Sequence, residues 1–99
     1  MLLGKVIGTV WSTRKDEKLV GSKFLIVKQL DLESKLKENF VVAVDSVGAG
    51  VGEVVLYSTG SSARQTLQTK DKPVDAVIMA IVDKLDISVH DNTNSNMDK

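Results

Sequence analysis

The stretch VDSVGAGVGEVVLYSTGSSAR, residues 44–64, contains a glycine-rich segment between two apolar ones. Glycine adopts positive φ angles without steric penalty, so residues 47–52 are predicted to form a tight connection that ends one strand and opens the next. The segment after it, residues 53–58, is dominated by Val, Leu and Tyr, which favour strands. The stretch therefore predicts a strand, a turn and a second strand in succession.

Segments of the same character lie on both sides of this stretch. Val, Ile, Phe and Thr dominate them, and Gly, Asp, Ser or Asn interrupt them at short intervals, which is typical of a small barrel or sandwich. The predicted strands are residues 3–13, 23–31, 39–45, 53–58 and 76–83. The apolar spacing of the last segment also fits an amphipathic helix that begins near Pro73, so the residues alone leave this segment open.

Two short segments predict helical turns. In residues 60–66, Ser61 or Ser62 can cap the amide groups that begin a helix. In residues 32–38, an acid and a base four positions apart can pair across one turn. Neither segment is long enough for more than two turns.

The predicted strands carry apolar side chains on both faces. In the second strand, alternation places Phe24, Ile26 and Leu30 on one face and Leu25 and Val27 on the other. The third and fourth strands repeat this pattern. Sheets that are apolar on both faces are usually covered by helices, which this chain has little length to supply. We therefore expect another copy of the chain to cover the outer face, the alternative being a monomer with scattered surface valines.

Length and composition restrict the class of protein. The 99 residues suffice for one domain, expected over residues 1–87, and the polar residues 88–99 are expected to be a disordered tail. Thirteen basic and thirteen acidic residues balance, so no net charge attracts nucleic acid or an anionic membrane. The absence of cysteine excludes disulfides and favours an intracellular setting. We find neither a signal peptide nor a run of about 20 apolar residues that could span a membrane.

The residues that could carry chemistry do not form a recognisable active site. The glycine-rich segment leads into a predicted strand, whereas phosphate-binding loops of the dinucleotide and P-loop types lead into a helix. His90, the one histidine, lies in the predicted tail without a second soft ligand. Ser61, Ser62 and Arg64 form a polar cluster, but the predicted domain has no histidine to act as a base for serine. We expect neither an enzyme nor a metal or cofactor.

The second class of protein to consider is a small barrel that binds nucleic acid. Such surfaces combine a basic groove with aromatic rings on which bases stack. This chain is neutral and has only four aromatic residues, one Trp, one Tyr and two Phe. Trp11 is expected to pack in the core or in an interface. Composition therefore disfavours this class.

The same stretch, residues 44–64, resembles the signature of the bacterial microcompartment vertex proteins, the EutN/CcmL family. Further matches in the same order extend the resemblance over residues 3–83 and comprise Gly8-Thr9-Val10, Ser12-Thr13, Gly21, Lys23-Phe24-Leu25, Asp71-Lys72-Pro73, Asp75-Ala76 and Ala80-Ile81-Val82-Asp83. The ordered combination is far more specific than any one of these motifs.

The resemblance implies a five-stranded, OB-like, all-β barrel with one short helical turn, in which the fifth segment is a strand and which assembles as a homopentamer. In the family, such pentamers cap the five-fold vertices of a microcompartment shell in the cytoplasm, beside hexameric shell proteins. The role is structural, with no enzyme activity, cofactor, nucleic acid or membrane. By resemblance, the candidates for the subunit interface or the central axis are Asp45, Gly48, Gly50, Glu53, Gly60, Ser61, Ser62 and Arg64.

Overall fold

Residues 1–88, which the computed structural model describes, form five β-strands and two short 3-10 helices. The strands are β1 Leu2–Val10, β2 Phe24–Leu30, β3 Leu36–Asp45, β4 Val54–Thr59 and β5 Ala76–Ile81, and the helices are η1 Glu17–Leu19 and η2 Gly60–Arg64. Neither helix in this part of the chain has the length to cross a membrane. His90 and the predicted tail, apart from Ser88, lie outside the described residues.

The five strands close into a barrel in the order β1-β2-β3-β5-β4. Strand β1 pairs with β2 along one edge and with β4 along the other, and this second pairing closes the sheet. All pairings are antiparallel except the short parallel contact of β3 with β5. The predicted all-β, OB-like barrel is confirmed, and the fifth segment is a strand and not a helix.

The inward side chains fill the barrel. Buried residues alternate with more exposed ones along much of β1, β2 and β4, as strand geometry requires. The inner core consists of Val6, Leu25, Val27, Ala43, Ala49, Val55, Tyr57, Ala76 and Ile78. The predicted alternation fails at one place, because Leu30 is buried and not exposed beside Ile26. It lies where the β2–β3 register is irregular, and alternation does not hold through such an irregularity.

A second apolar cluster lies outside the barrel. Val44 of β3 and Val77 of β5 are paired, and both are adjacent to residues of the inner core, so both point outward. Ala63 and Val74, from the connection between β4 and β5, bury them, and Leu19 packs at the margin. This corrects the expectation that only another copy could cover the outer face, because the chain covers part of it.

Backbone and threonine hydrogen bonds hold this connection in place. The Thr69 hydroxyl donates to the Ala63 carbonyl at 2.6 Å, and Thr69 is fully buried. The N–H of Gly60, the first residue of η2, donates to the Asp75 carbonyl at 2.8 Å. The predicted helical turn is therefore confirmed as η2, but serine capping is wrong. The helix begins before both serines, and Thr59 at its N-cap makes no side-chain capping bond.

The predicted helical turn at residues 32–38 is also wrong. These residues form a turn followed by the start of β3. Asp31 Oδ1 accepts hydrogen bonds from the N–H groups of Glu33 and Lys35, at 2.8 and 3.0 Å. The bond from Lys35, followed by that from Glu33, lowers the pKa of Asp31. An aspartate that bonds the backbone two and four residues ahead stabilises a turn in competition with a helix.

The fold predicts that Gly4→Ala destabilises the barrel. A Cβ atom at Gly4 would lie 2.5 Å from Val27 Cγ1, 2.7 Å from Tyr57 Cε1 and 2.9 Å from the Lys28 carbonyl oxygen. Overpacking of this kind costs about 1–3 kcal/mol in the free energy of unfolding, measured by urea denaturation.

Gly8→Ala is the matched control on the same strand. A Cβ atom there would meet only the flexible end of Ile26, at 3.4 Å, so its expected effect is within about 0.5 kcal/mol. Equal losses for the two variants would contradict the close packing assigned to Gly4.

Burial raises the pKa of Tyr57, whose side chain is 2% exposed. The unfolded chain then loses the phenolic proton at lower pH than the folded chain, so this group reduces stability as pH rises above about 10. Tyr57 is the one tyrosine in the chain, so tyrosinate absorbance reports on it alone. We expect its titration midpoint to lie higher in the folded protein than in denaturant. Identical midpoints would rule out the effect.

Candidate assembly surface

The strand register places two lysines at the centre of the outer face of the barrel. Lys5 of β1 lies opposite Lys28 of β2, and both are next to inward-pointing core residues. Lys5 also pairs with Val54 of β4, and Lys28 with Phe40 of β3. Val54, Lys5, Lys28 and Phe40 therefore form one row across four strands, with the lysines between two apolar side chains.

The next row on the same face is apolar throughout. Ile26 of β2 lies between Gly8 of β1 and Val42 of β3. Gly8 has no side chain to cover Ile26, and Ile7 lies beside it on β1. We name Ile7, Ile26, Phe40 and Val42 the outer patch. Ile7 is 41%, Phe40 61% and Val42 47% exposed. Adjacent exposed apolar side chains on paired strands are typical of an interaction surface.

The glycine-rich loop before β4 is stabilised by two of its own carboxylates. Asp45 Oδ1 accepts hydrogen bonds from three successive backbone N–H groups, those of Val47, Gly48 and Ala49, each at 3.1 Å. The Asp45 side chain is almost fully buried, and the Lys23 ammonium lies 3.8 Å from it. This carboxylate therefore sets the shape of its own loop.

Glu53 is the second carboxylate that stabilises the loop. Its Oε1 accepts a hydrogen bond from the Gly50 N–H at 2.7 Å. Gly48 and Gly52 have φ angles of +78° and +95°, so these two turns require glycine. Four sequence-predicted candidates, Asp45, Gly48, Gly50 and Glu53, thus belong to one rigid loop, whose tip exposes Val51.

The other four candidates lie in η2, which follows β4. Gly60, Ser61 and Ser62 are exposed there. Arg64 Nη1 donates to the Val74 carbonyl at 2.9 Å and to Asp75 Oδ1 at 3.2 Å, so Arg64 forms a salt bridge within the chain.

The eight candidates form two groups and not one. The six residues of β4 separate the loop from η2, which places the groups roughly 20 Å apart along the strand. Trp11 is 89% exposed just beyond β1, so it does not pack in the core of the subunit. Its use in an interface stays a prediction.

The sequence reasoning noted the apolar outer strands but missed the lysine pair. Only the β1–β2 register places Lys5 opposite Lys28, and no local pattern in either segment indicates it. Within residues 1–88, no group of three acidic or histidine side chains is close enough to hold a metal ion. The surface of these residues can therefore bind a partner through its shape, its apolar side chains and its charges.

Comparisons of the chain with a family profile, with curated relatives and with solved structures agree with one another. The sequence profile of a family described as "Ethanolamine utilisation protein EutN/carboxysome" matches residues 1–83. The chain is 46% identical to the carboxysome shell vertex protein CcmL of Synechococcus elongatus, over 92% of this chain and 95% of that protein. It is 48% identical to the microcompartment shell vertex protein GrpN of Rhodospirillum rubrum, over 87% of this chain and 97% of that protein.

A solved structure agrees in fold. The pentameric microcompartment shell protein GrpN superposes with a TM-score of 0.81 at 46% identity, covering 89% of this chain and 100% of that chain. These relatives are structural components of a shell and not enzymes. From the profile match over the whole barrel and the identity to both relatives, the chain belongs to the EutN/CcmL family of bacterial microcompartment shell vertex proteins.

Proposed function

We propose that five copies of this chain form a ring that caps the five-fold vertices of a microcompartment shell in the cytoplasm, beside hexameric shell proteins. The observation that carries the proposal is the exposed outer patch on a barrel whose interior is already full. Its relative GrpN is described as a pentameric shell protein. A neighbouring copy would bury the patch.

The closed barrel restricts how copies can meet. Each of the five strands has a partner on both sides within the chain, although β3 pairs with β5 only at Val44 and Asp45. Five-fold closure needs a heterologous interface, in which one surface meets a different surface of the next copy. The outer patch is one of these surfaces.

The glycine-rich loop and η2 are proposed to contribute further ring contacts or to line the central axis. Each group has an exposed part, Gly48 and Val51 in the loop and Gly60 to Ser62 in η2, and both are held by bonds within the chain. A rigid loop loses little conformational entropy on association, which favours its use in a repeated contact. The alternative, an OB-like module that binds nucleic acid, is not favoured, because the known relatives are shell proteins and the chain is neutral.

Val42→Glu tests the outer patch. A charge at this half-exposed position would be buried against the neighbouring copy, so we expect the pentamer seen by native mass spectrometry to give way to monomer. Thermal melting checks that the monomer remains folded.

Val20→Glu is the control for Val42→Glu. Val20 is 68% exposed in the connection between η1 and β2, outside the rows of the outer face. We expect this variant to remain pentameric. Loss of the ring in both variants, or in neither, would refute the assignment of the patch to the interface.

Arg64→Glu tests the second group of candidates. The change removes the bonds from Arg64 to Val74 and Asp75 and reverses a charge on the exposed side of η2. We expect a weaker pentamer on dilution than for Lys15→Glu, a reversal in the exposed connection after β1. Equal effects at the two positions would count against a contact through η2.

A further inference from the structure

The lysine pair is unfavourable on an isolated subunit. Lys5 and Lys28 lie directly opposite each other on neighbouring strands, and like charges in this arrangement repel. Both residues are half-buried, and their neighbours in the row, Val54 and Phe40, are apolar. The surface around the two ammonium groups thus offers them no compensation.

No ion pair in the described part of the chain involves either lysine. The three pairs there are Lys23–Asp45, Arg64–Asp75 and Lys84–Asp86. Glu38, two residues before Phe40 in β3, is exposed and not within ion-pair distance of either lysine. A purely apolar covering surface would strip water from two cations without replacing it, which is unfavourable. A surface that supplies carboxylates therefore suits this face.

Residues 82–88, with the sequence VDKLDIS, carry the carboxylates and apolar side chains that such a cover requires. This segment, which we name the arm, forms neither helix nor strand. It carries two acids, Asp83 and Asp86, and one base, Lys84, whose ammonium lies 3.5 Å from Asp86 Oδ1. Leu85 and Ile87 are 42% and 39% exposed, and Asp86 is largely exposed. The arm therefore presents acidic and apolar side chains that its own barrel leaves uncovered.

The arm begins beside the lysine row and is long enough to span a face of this kind. The Val82 N–H donates to the Val54 carbonyl at 2.8 Å, so the arm leaves the barrel at the end of the lysine row. Seven residues reach roughly 23 Å at most. Lys28 lies three strand spacings from Val82, about 14 Å. The arm is thus long enough to cover a face several strands wide.

We propose that the arm of each subunit packs on the outer face of the next subunit in the ring, with Asp83 and Asp86 against Lys5 and Lys28. This inference rests on the proposed pentamer. A cationic apolar face and an acidic apolar arm are two different, complementary surfaces on one chain, as a heterologous ring requires. Each face receives one arm, so the two carboxylates of the arm face the two lysines in the closed ring, and Lys84 of the arm leaves one positive charge over.

Charge reversal and its rescue test the contact. Lys5→Glu with Lys28→Glu, and separately Asp83→Lys with Asp86→Lys, should each weaken the pentamer about tenfold or more. All four changes together should restore it. Lys15→Glu with Lys70→Glu, two exposed lysines outside the face, is the matched control and should leave the ring unchanged. Analytical ultracentrifugation on dilution measures the affinity.

A disulfide trap shows which subunit supplies the arm. The natural chain has no cysteine, so Lys28→Cys with Asp86→Cys introduces the only two thiols. Diamide oxidises them to a disulfide and is itself reduced to the hydrazide. Bonds between subunits give a ladder up to five linked chains on a non-reducing gel, whereas bonds within one chain give only monomer. Lys70→Cys with Asp86→Cys is the control and should give no ladder.

The outcomes separate this inference from the proposed function. A wild-type protein that stays monomeric overturns the pentamer itself. A wild-type pentamer without rescue, or a trap that yields only monomer, overturns the arm contact and leaves the pentamer standing. If the Lys→Glu variant does not fold, Lys5→Met with Lys28→Met replaces it. That variant should also lose about tenfold in affinity, and Asp83→Asn with Asp86→Asn should restore it.

Discussion

The pairing of β1 with both β2 and β4 is the constraint on which the rest of the structure depends. It closes the sheet, so the inward side chains fill the barrel and the outward ones have no second sheet to pack against. The closure is tight at Gly4, where only a hydrogen atom fits between Val27 and Tyr57. An apolar outer face is therefore a direct result of a small barrel built from strands that are apolar on both sides.

The chain covers only part of this outer face. The connection between β4 and β5 folds back over Val44 and Val77 and forms a small cluster with Ala63. The face formed by β1, β2 and the start of β3 receives no such cover, and there the outer patch and the lysine pair remain accessible. The division leaves an open apolar surface on one side of the barrel, whereas the other side presents the polar residues of η2.

Much of the fold could be predicted from the sequence, because apolar runs and glycines report local preferences. The strands and η2 followed from such signals, whereas β5 needed the family resemblance, since its spacing also fits a helix. Serine capping failed because η2 begins at Gly60, before both serines, and this places Thr59 at the N-cap. The two groups of site candidates are adjacent in sequence, but β4 separates them in space. The lysine pair depends on register between strands, which no single segment encodes.

The closure of the barrel within one chain also has a kinetic consequence. Every strand finds its partners intramolecularly, so a subunit reaches its folded form without waiting for a second-order encounter. Folding is then unimolecular and governed by long-range strand pairing, while ring formation is a later, concentration-dependent step. Folded subunits can therefore be present before any ring has formed.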